Sequence, residues 1–319
     1  MKNNLIRAAV IGLGNMGMAH ARVYSELPGC ELMAIADIDL YRLKEAQARF
    51  SCNAYPDYME MLTKEKLDLV SIVVPTELHA QVAIGVAAYE IPFLVEKPIT
   101  STLNEALSLQ AAALKRDVPF MVGHIERFNP AVIALQSLIT EGEIGDLLEL
   151  QTRRVGYKRP PATIDTAVDL AIHDIEICNF LAGRPPRKVL ANNTENQCEA
   201  LLDYGSTKAI ISANWLTPIK IRRLTVTSSL SYVELDYISQ SVKVYKTPQT
   251  NRSLDTFSQF QQASQSKAIP IEVVSQEPLK LELEHMLEVA RGETSPIVTP
   301  QQAIEALRVV LEIRKAEEI

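Results

Sequence analysis

The string GLGNMG, residues 12–17, stands where an apolar, β-branched run, IRAAVIGL, gives way to a helix-like stretch ending near Glu26. Glycines at a strand-to-helix junction allow a tight turn and let a pyrophosphate approach the backbone. The helix that follows then offers its free N–H groups and positive dipole end to the phosphates. Asp37 closes the next strand-like run, ELMAIAD, 20 residues after Gly17. A carboxylate there accepts hydrogen bonds from ribose hydroxyls. Ile38 follows, and no arginine appears before Arg42. That favours NAD over NADP, whose 2′-phosphate calls for a nearby cation. The alternative is a glycine turn required only for packing.

The first 123 residues repeat the alternation that such a turn belongs to. LDLVSIVVP, IPFLVE and VPFMVGH are near-continuous apolar strands, while ELHAQVAIGVAAYE and LNEALSLQAAALKRD have helical spacing. This predicts a parallel sheet covered on both faces, a doubly wound α/β (Rossmann) domain over residues 1–123. From about residue 145 the pattern changes. LLELQTRRVGY, KVLANNTE, EALLDYG, KAIISANWL, IRRLTVTSS, SYVELDY and SVKVYK follow one another as short strands with turn signals. They predict an α+β domain over 124–299 with a large, mostly antiparallel open sheet. One helix, Thr166 to Leu181, interrupts the strands. Residues 247–268, rich in Gln, Ser and Thr, read as a loop, and helices are expected over about 278–291 and 300–318.

At 319 residues the chain is long enough for two such domains, and its net charge of −7 is the reverse of a nucleic-acid binder's basic surplus. Cys30, Cys52, Cys178 and Cys198 form no C-x-x-C, so neither a disulfide framework nor a metal site is expected. No apolar run reaches the roughly 18 residues of a membrane span. The N-terminal apolar run is short and broken by glycine, unlike a signal sequence. A reduced, cytoplasmic protein is the expectation.

FLVEKPITS, residues 93–101, puts Glu96, Lys97 and Pro98 at the carboxyl end of a core strand, the edge where open α/β sheets bind ligands. A lysine there either stabilises negative charge on a reacting oxygen or pairs with Glu96 and reaches solvent. In DLAIHDIEI, Asp169 and His173 are four apart and share a helix face. An acid beside a histidine orients the ring and favours its charged form, which suits a general base for a hydroxyl proton. The same spacing also serves a packing pair. GHIERFNP carries Arg127 and Asn129, which either reach the site's edge or form a domain-linking ion pair and the turn before Pro130. RRVGYKRPP gathers Arg153, Arg154, Tyr157, Lys158 and Arg159 without an acid. It is either a phosphate-binding cluster or a solvated basic face.

Taken in order, GLGNMG, Pro75-Thr76 with His79, Glu96-Lys97-Pro98 and the Asp169/His173 helix resemble the Gfo/Idh/MocA oxidoreductase family across nearly the whole chain. The resemblance implies an NAD-dependent dehydrogenase of a sugar or nucleotide-sugar hydroxyl. It implies that Gly12, Gly14, Asn15, Met16 and Gly17 form the dinucleotide loop, with the Asn15 and Met16 N–H groups toward the phosphates. Asp37 and Ile38 then stand at the adenosine ribose, and Pro75, Thr76, His79, Glu96 and Lys97 line the cofactor. Lys97 takes the place of the family's catalytic lysine, Asp169 of its carboxylate partner and His173 of its acid/base. In many members the Lys–Pro peptide is cis.

The resemblance further implies that the helix over about 300–319 packs on the nucleotide domain and that the open sheet buries one face in a homodimer or homotetramer. Within the family, GHIERFNPAV and DLAIHDIEI are similar to a branch that oxidises the 3-hydroxyl of UDP-N-acetylglucosamine. Arg127, Asn129, Arg154, Tyr157 and Lys158 would then be substrate contacts. The alternatives are a dehydrogenase of inositol or another polyol, one for a UDP-sugar uronate, and a dinucleotide-binding regulator without chemistry.

Overall fold

The apolar runs of the first 123 residues pair in parallel, as strands buried on both faces do. In chain order the elements are β1 (Ile6–Ile11), α1 (Asn15–Glu26), β2 (Cys30–Ala36), α2 (Leu40–Phe50), β3 (Asn53–Tyr55) and α3 (Tyr58–Lys64). Then come β4 (Leu69–Ile72), α4 (Thr76–Ala88), β5 (Phe93–Glu96), α5 (Leu103–Leu114) and β6 (Phe120–Gly123). The computed structural model describes residues 5–157, 165–246 and 267–316.

These strands form one parallel sheet in the order β3-β2-β1-β4-β5-β6. The order reverses between β1 and β4, which makes their carboxyl ends a topological switch point. Ala8, Ala9 and Val10 of β1, Val70 and Ile72 of β4 and Leu94 and Val95 of β5 are all inaccessible. Local chemistry sets the helix starts. Asp39 caps α2, Asp57 caps α3, and Thr102 with Glu105 forms a capping box on α5. The sequence patterns did not reveal β3 or α3. A three-residue edge strand is too short to show a period.

The second unit is built on the strands after residue 145. It contains α6 (Pro130–Thr140), β7 (Leu147–Tyr157), α7 (Ile172–Ala182), β8 (Lys188–Asn193), β9 (Gln197–Asp203), β10 (Lys208–Asn214) and β11 (Leu216–Ser228). β12 (Ser231–Asp236), β13 (Ser241–Lys246) and the short β14 (Ile269–Ile271) complete its sheet. The order is β14-β13-β12-β11-β7-β10-β9-β8, antiparallel except for β7 with β10. One face is buried through Leu150, Ala209, Ile211, Leu224, Val226, Val233 and Leu235. α7 packs against β7 and β10. The expected loop over 247–268 lies outside the described residues except at 267–268.

The chain forms two compact units, one up to Ile125 with Glu277–Arg308 and a second of Glu126–Gln276 with the residues from Val309 on. The helix α8 (Pro278–Ala290), which pattern reading assigned to the second domain, therefore belongs with the first. The reason is its buried side. Leu279, Leu283, Met286 and Leu287 are covered, and the helix packs on α1 and β5. α9 (Pro300–Lys315) follows it. Among the described residues no helix is long and apolar enough to cross a membrane.

Candidate active site

The three glycines of the first turn are constrained differently. Gly12 has φ +94°, and a Cβ there would lie 2.5 Å from the Val73 carbonyl oxygen. A Cβ on Gly17 would overlap the Gly12 carbonyl oxygen. Both are glycine because the protein's own backbone leaves no space. Gly14 has ordinary φ, and nothing stands within 4 Å of the position a Cβ would take. It is also the N-cap of α1, where it supplies no side-chain hydrogen bond, and the first turn carries no acid. The open N–H groups of Asn15, Met16 and Gly17 fit an anion approaching over Gly14.

Asp37 sits beside this turn, half-buried. Its Oδ2 accepts from the Leu13 N–H at 2.6 Å and its Oδ1 from the Asp39 N–H at 2.8 Å. Each oxygen keeps a lone pair for a further donor. Ile38 is 88% exposed. Arg42 pairs with Asp39 at 3.4 Å, so the first cation after Asp37 already faces a carboxylate.

On the other side of the switch point, Pro75 caps α4 and Thr76 begins it. His79, one turn on, is buried. Its Nδ1 lies 2.8 Å from the Pro98 carbonyl and its Nε2 2.9 Å from the Val74 carbonyl. Burial pulls its pKa below the usual histidine value, against the opposing pull of the two carbonyls. His79 was expected to touch the cofactor. The ring lies between the turn after β4 and the turn after β5, and in its neutral form it has one N–H to donate to one of the two carbonyls.

The Lys97–Pro98 peptide in that second turn is cis. Lys97 is half-buried, and its main-chain N–H donates to Glu96 Oε2 at 3.0 Å. Glu96 was also expected beside the cofactor. Its carboxylate points inward to His20, whose Nε2 is 3.2 Å from Oε1. A Cβ on Gly123, which pairs with Glu96 across β6, would come 3.0 Å from that oxygen. Glycine there makes room for the inward turn.

In the second unit, the expected Thr166–Leu181 helix begins as a π-helical turn, Ala167–Ala171, and becomes α-helical from Ile172. Asp169 lies in the π turn and His173 in the first α turn, both half-buried. Such single π turns recur at functional sites. Gly183, at φ +68°, ends the helix.

Two of the residues expected to touch substrate, Arg127 and Arg154, bind acids of this helix. Arg127 Nε donates to Glu176 at 2.8 Å, and its guanidinium lies 3.6 Å from the Phe180 ring centre. Arg154 makes a two-pronged bond to Asp174, at 2.9 and 3.0 Å, and a third to Glu126 at 2.9 Å. All the charged partners except Glu126 are buried. Burial pushes the Asp174 and Glu176 carboxyls up, and the guanidinium groups of Arg154 and Arg127 work against that push. Asn129 caps α6 through the Ala131 N–H and donates to the Tyr237 carbonyl. The strand period separates the supposed cation cluster. Arg153 points to the exposed face of β7 and Arg154 to the covered one. Tyr157, 72% exposed, ends the strand, while Lys158 and Arg159 lie outside the described residues.

Pattern reading missed Asp174, Glu176 and Arg222. The first two flank His173 in DLAIHDIEI, and the signal was there: two acids in an apolar helix call for buried cations. Arg222 donates to the Val155 and Ile221 carbonyls. Burial and the Arg154 charge lower its pKa, while Asp174, Glu126 and Asp169 pull the other way. Asp169 thus stands within electrostatic reach of a buried cation.

Residues 6–124 match the Gfo/Idh/MocA oxidoreductase family's NAD-binding Rossmann fold, and residues 136–318 match that family's C-terminal alpha/beta domain. A UDP-N-acetylglucosamine 3-dehydrogenase of Acidithiobacillus ferrooxidans is 28% identical over 248 residues, 75% of this chain and 77% of its own. A solved structure of UDP-N-acetylglucosamine 3-dehydrogenase from the same organism superposes with a TM-score of 0.85. It is 25% identical and covers 98% of both chains. The scyllo-inositol 2-dehydrogenase (NAD(+)) of Bacillus subtilis is 30% identical over 185 residues, 56% of this chain and 54% of its own.

Proposed function

Since the chain belongs to the Gfo/Idh/MocA oxidoreductase family, whose nucleotide domain binds NAD, we propose that it oxidises the 3-hydroxyl of UDP-N-acetylglucosamine to a ketone. The observation that carries the oxidoreductase chemistry is the shared carboxyl edge of the parallel sheet. There an unobstructed Gly14, an uncapped helix start, Asp37 and Lys97 are held on the turns after β1, β2 and β5. Asp37 with the Asp39-paired Arg42 suits ribose hydroxyls and repels a 2′-phosphate, which favours NAD. The Gly12–Gly17 turn and Asp37 would hold NAD, which would supply a hydride acceptor for the carbon that carries the hydroxyl. His173 takes the hydroxyl proton, and Asp169 supports the imidazolium. Lys97 hydrogen-bonds the same oxygen and stabilises its charge as the proton leaves.

The choice of sugar rests on the similarity to the A. ferrooxidans enzyme. Arg154 lends it no support, being bound to Asp174 and Glu126. That lack, with the similarity to the inositol dehydrogenase, favours a free polyol as the second reading. NADH absorbance separates the two. Signal is expected with UDP-N-acetylglucosamine and NAD when a 3-aminotransferase draws off the ketone, and none with inositols. The reverse result overturns the sugar assignment. Lys97→Ala and His173→Ala should each lower kcat by about 10²–10⁴-fold with NAD binding intact. Near-normal turnover would remove them from the mechanism.

A further inference from the structure

Behind the lysine turn, the first unit buries three side chains whose ligating atoms all lie within 4.8 Å of one another: His20 of α1, Glu96 of β5 and Glu282 of α8. His20 and Glu282 are 0% exposed and Glu96 is 8% exposed. His20 is bonded on both sides. Its Nδ1 is 3.1 Å from Ser71 Oγ and its Nε2 3.2 Å from Glu96 Oε1, while the Tyr24 hydroxyl is 2.7 Å from the same Ser71 Oγ. One set of directions satisfies every member. Tyr24 O–H donates to Ser71, Ser71 O–H donates to Nδ1, and Nε2–H donates to Glu96. The second Glu96 oxygen accepts the Lys97 N–H.

That chain leaves nothing for Glu282, whose two oxygens are buried with no hydrogen-bond partner among the described residues. Around it α1 presents His20 and Tyr24, β4 presents Ser71, and the end of β5 presents Glu96 and then Lys97. Glu96 already uses His20 and the Lys97 main chain. A second charged carboxylate would face Glu96 with no cation of its own, and two adjacent buried carboxylates do not both ionise.

We infer that Glu96 and Glu282 hold one proton between them, with Glu282 as the neutral acid and Glu96 as the carboxylate, and that this pair positions Lys97 from behind the sheet. The electrostatics run the same way. Burial and then the Glu96 charge push Glu282 well above the usual carboxylate range. Burial also pushes Glu96 up, but His20 and Lys97 outweigh it and hold that carboxyl below its usual value. Glu282 acts through Glu96 and is a positioning residue. The positioning half rests on the proposed role of Lys97, whereas the shared proton does not.

The test has two arms on the full-length protein. Infrared difference spectra, wild type minus Glu282→Gln, should contain a carboxylic-acid C=O band at pH 7 that persists well above the ordinary carboxylate range. Absence of that band means a charged Glu282 and overturns the shared proton. So does a stoichiometric divalent ion, removable by chelator, which would assign the three side chains to a metal. In the kinetic arm, Glu282→Gln keeps a neutral donor and should keep kcat, whereas Glu282→Leu should lose about tenfold in kcat, the rate equivalent of one hydrogen bond, at unchanged KM for NAD. A band together with full kcat in Glu282→Leu, or a kcat loss in Glu282→Gln equal to that in Glu282→Leu, overturns the positioning role. If no sugar is turned over, the infrared arm still decides the proton, so that failure is distinct from failure of the proposed function.

Discussion

Gly12, Gly14 and Gly17 look interchangeable in GLGNMG, and the structure separates them. Two are glycine because backbone atoms stand where a Cβ would go, and one faces open space. Gly14→Ala should therefore cost at most about 1 kcal/mol of stability, the scale of an N-cap change. Its methyl would stand where the pyrophosphate approaches, so NAD affinity should fall by at least about tenfold, or 1.4 kcal/mol. Gly17→Ala should instead destabilise the fold by about 3 kcal/mol or more, because the methyl overlaps main chain that cannot give way. Thermal melts and calorimetric NAD titrations of both variants check this. Equal losses of stability would show that Gly14 is structural too. The glycine turn was legible because Gly12 and Gly17 answer a local requirement of the backbone. The inward turn of Glu96 was not, because it depends on His20 and on the missing side chain of Gly123.

The histidine helix shows the same division at the scale of elements. Its apolar spacing announced a helix and placed Asp169 near His173, but a π turn keeps nearly the same spacing and leaves no trace in the pattern. What anchors the helix is a pair of buried arginines from elsewhere in the chain, bound to Asp174 and Glu176. Glu176→Gln would leave the Arg127 guanidinium buried without its counter-charge. A loss of about 3–5 kcal/mol is expected. Replacing both partners, Arg127→Met with Glu176→Leu, should recover most of that loss, since the stranded charge and not the missing pair is what destabilises. Urea midpoints of the single and double variants read it directly. A single variant within about 1 kcal/mol of wild type would show that the pair is no anchor.

At the scale of the whole molecule, the uncovered face of the second sheet carries an apolar row. Leu190, Leu201 and Ile210 are aligned across β8, β9 and β10, and Leu190 and Leu201 are 54% and 42% exposed. We expect this face to be buried in a homo-oligomer, with Leu201→Lys shifting the protein to monomers in light scattering at micromolar concentration. A wild-type monomer at that concentration would refute the expectation. Strand and helix periods, the glycine turn and the caps depend on neighbours within a few residues, so they could be read along the chain, and both sheets with them. Which charges meet could not. Arg154 and Arg153 differ by one residue and point to opposite faces. Arg127 finds Glu176, and Glu282 comes to lie beside Glu96, only when distant segments pack. A buried charge or proton must be satisfied wherever folding leaves it, and that partner is chosen by long-range packing rather than by local pattern.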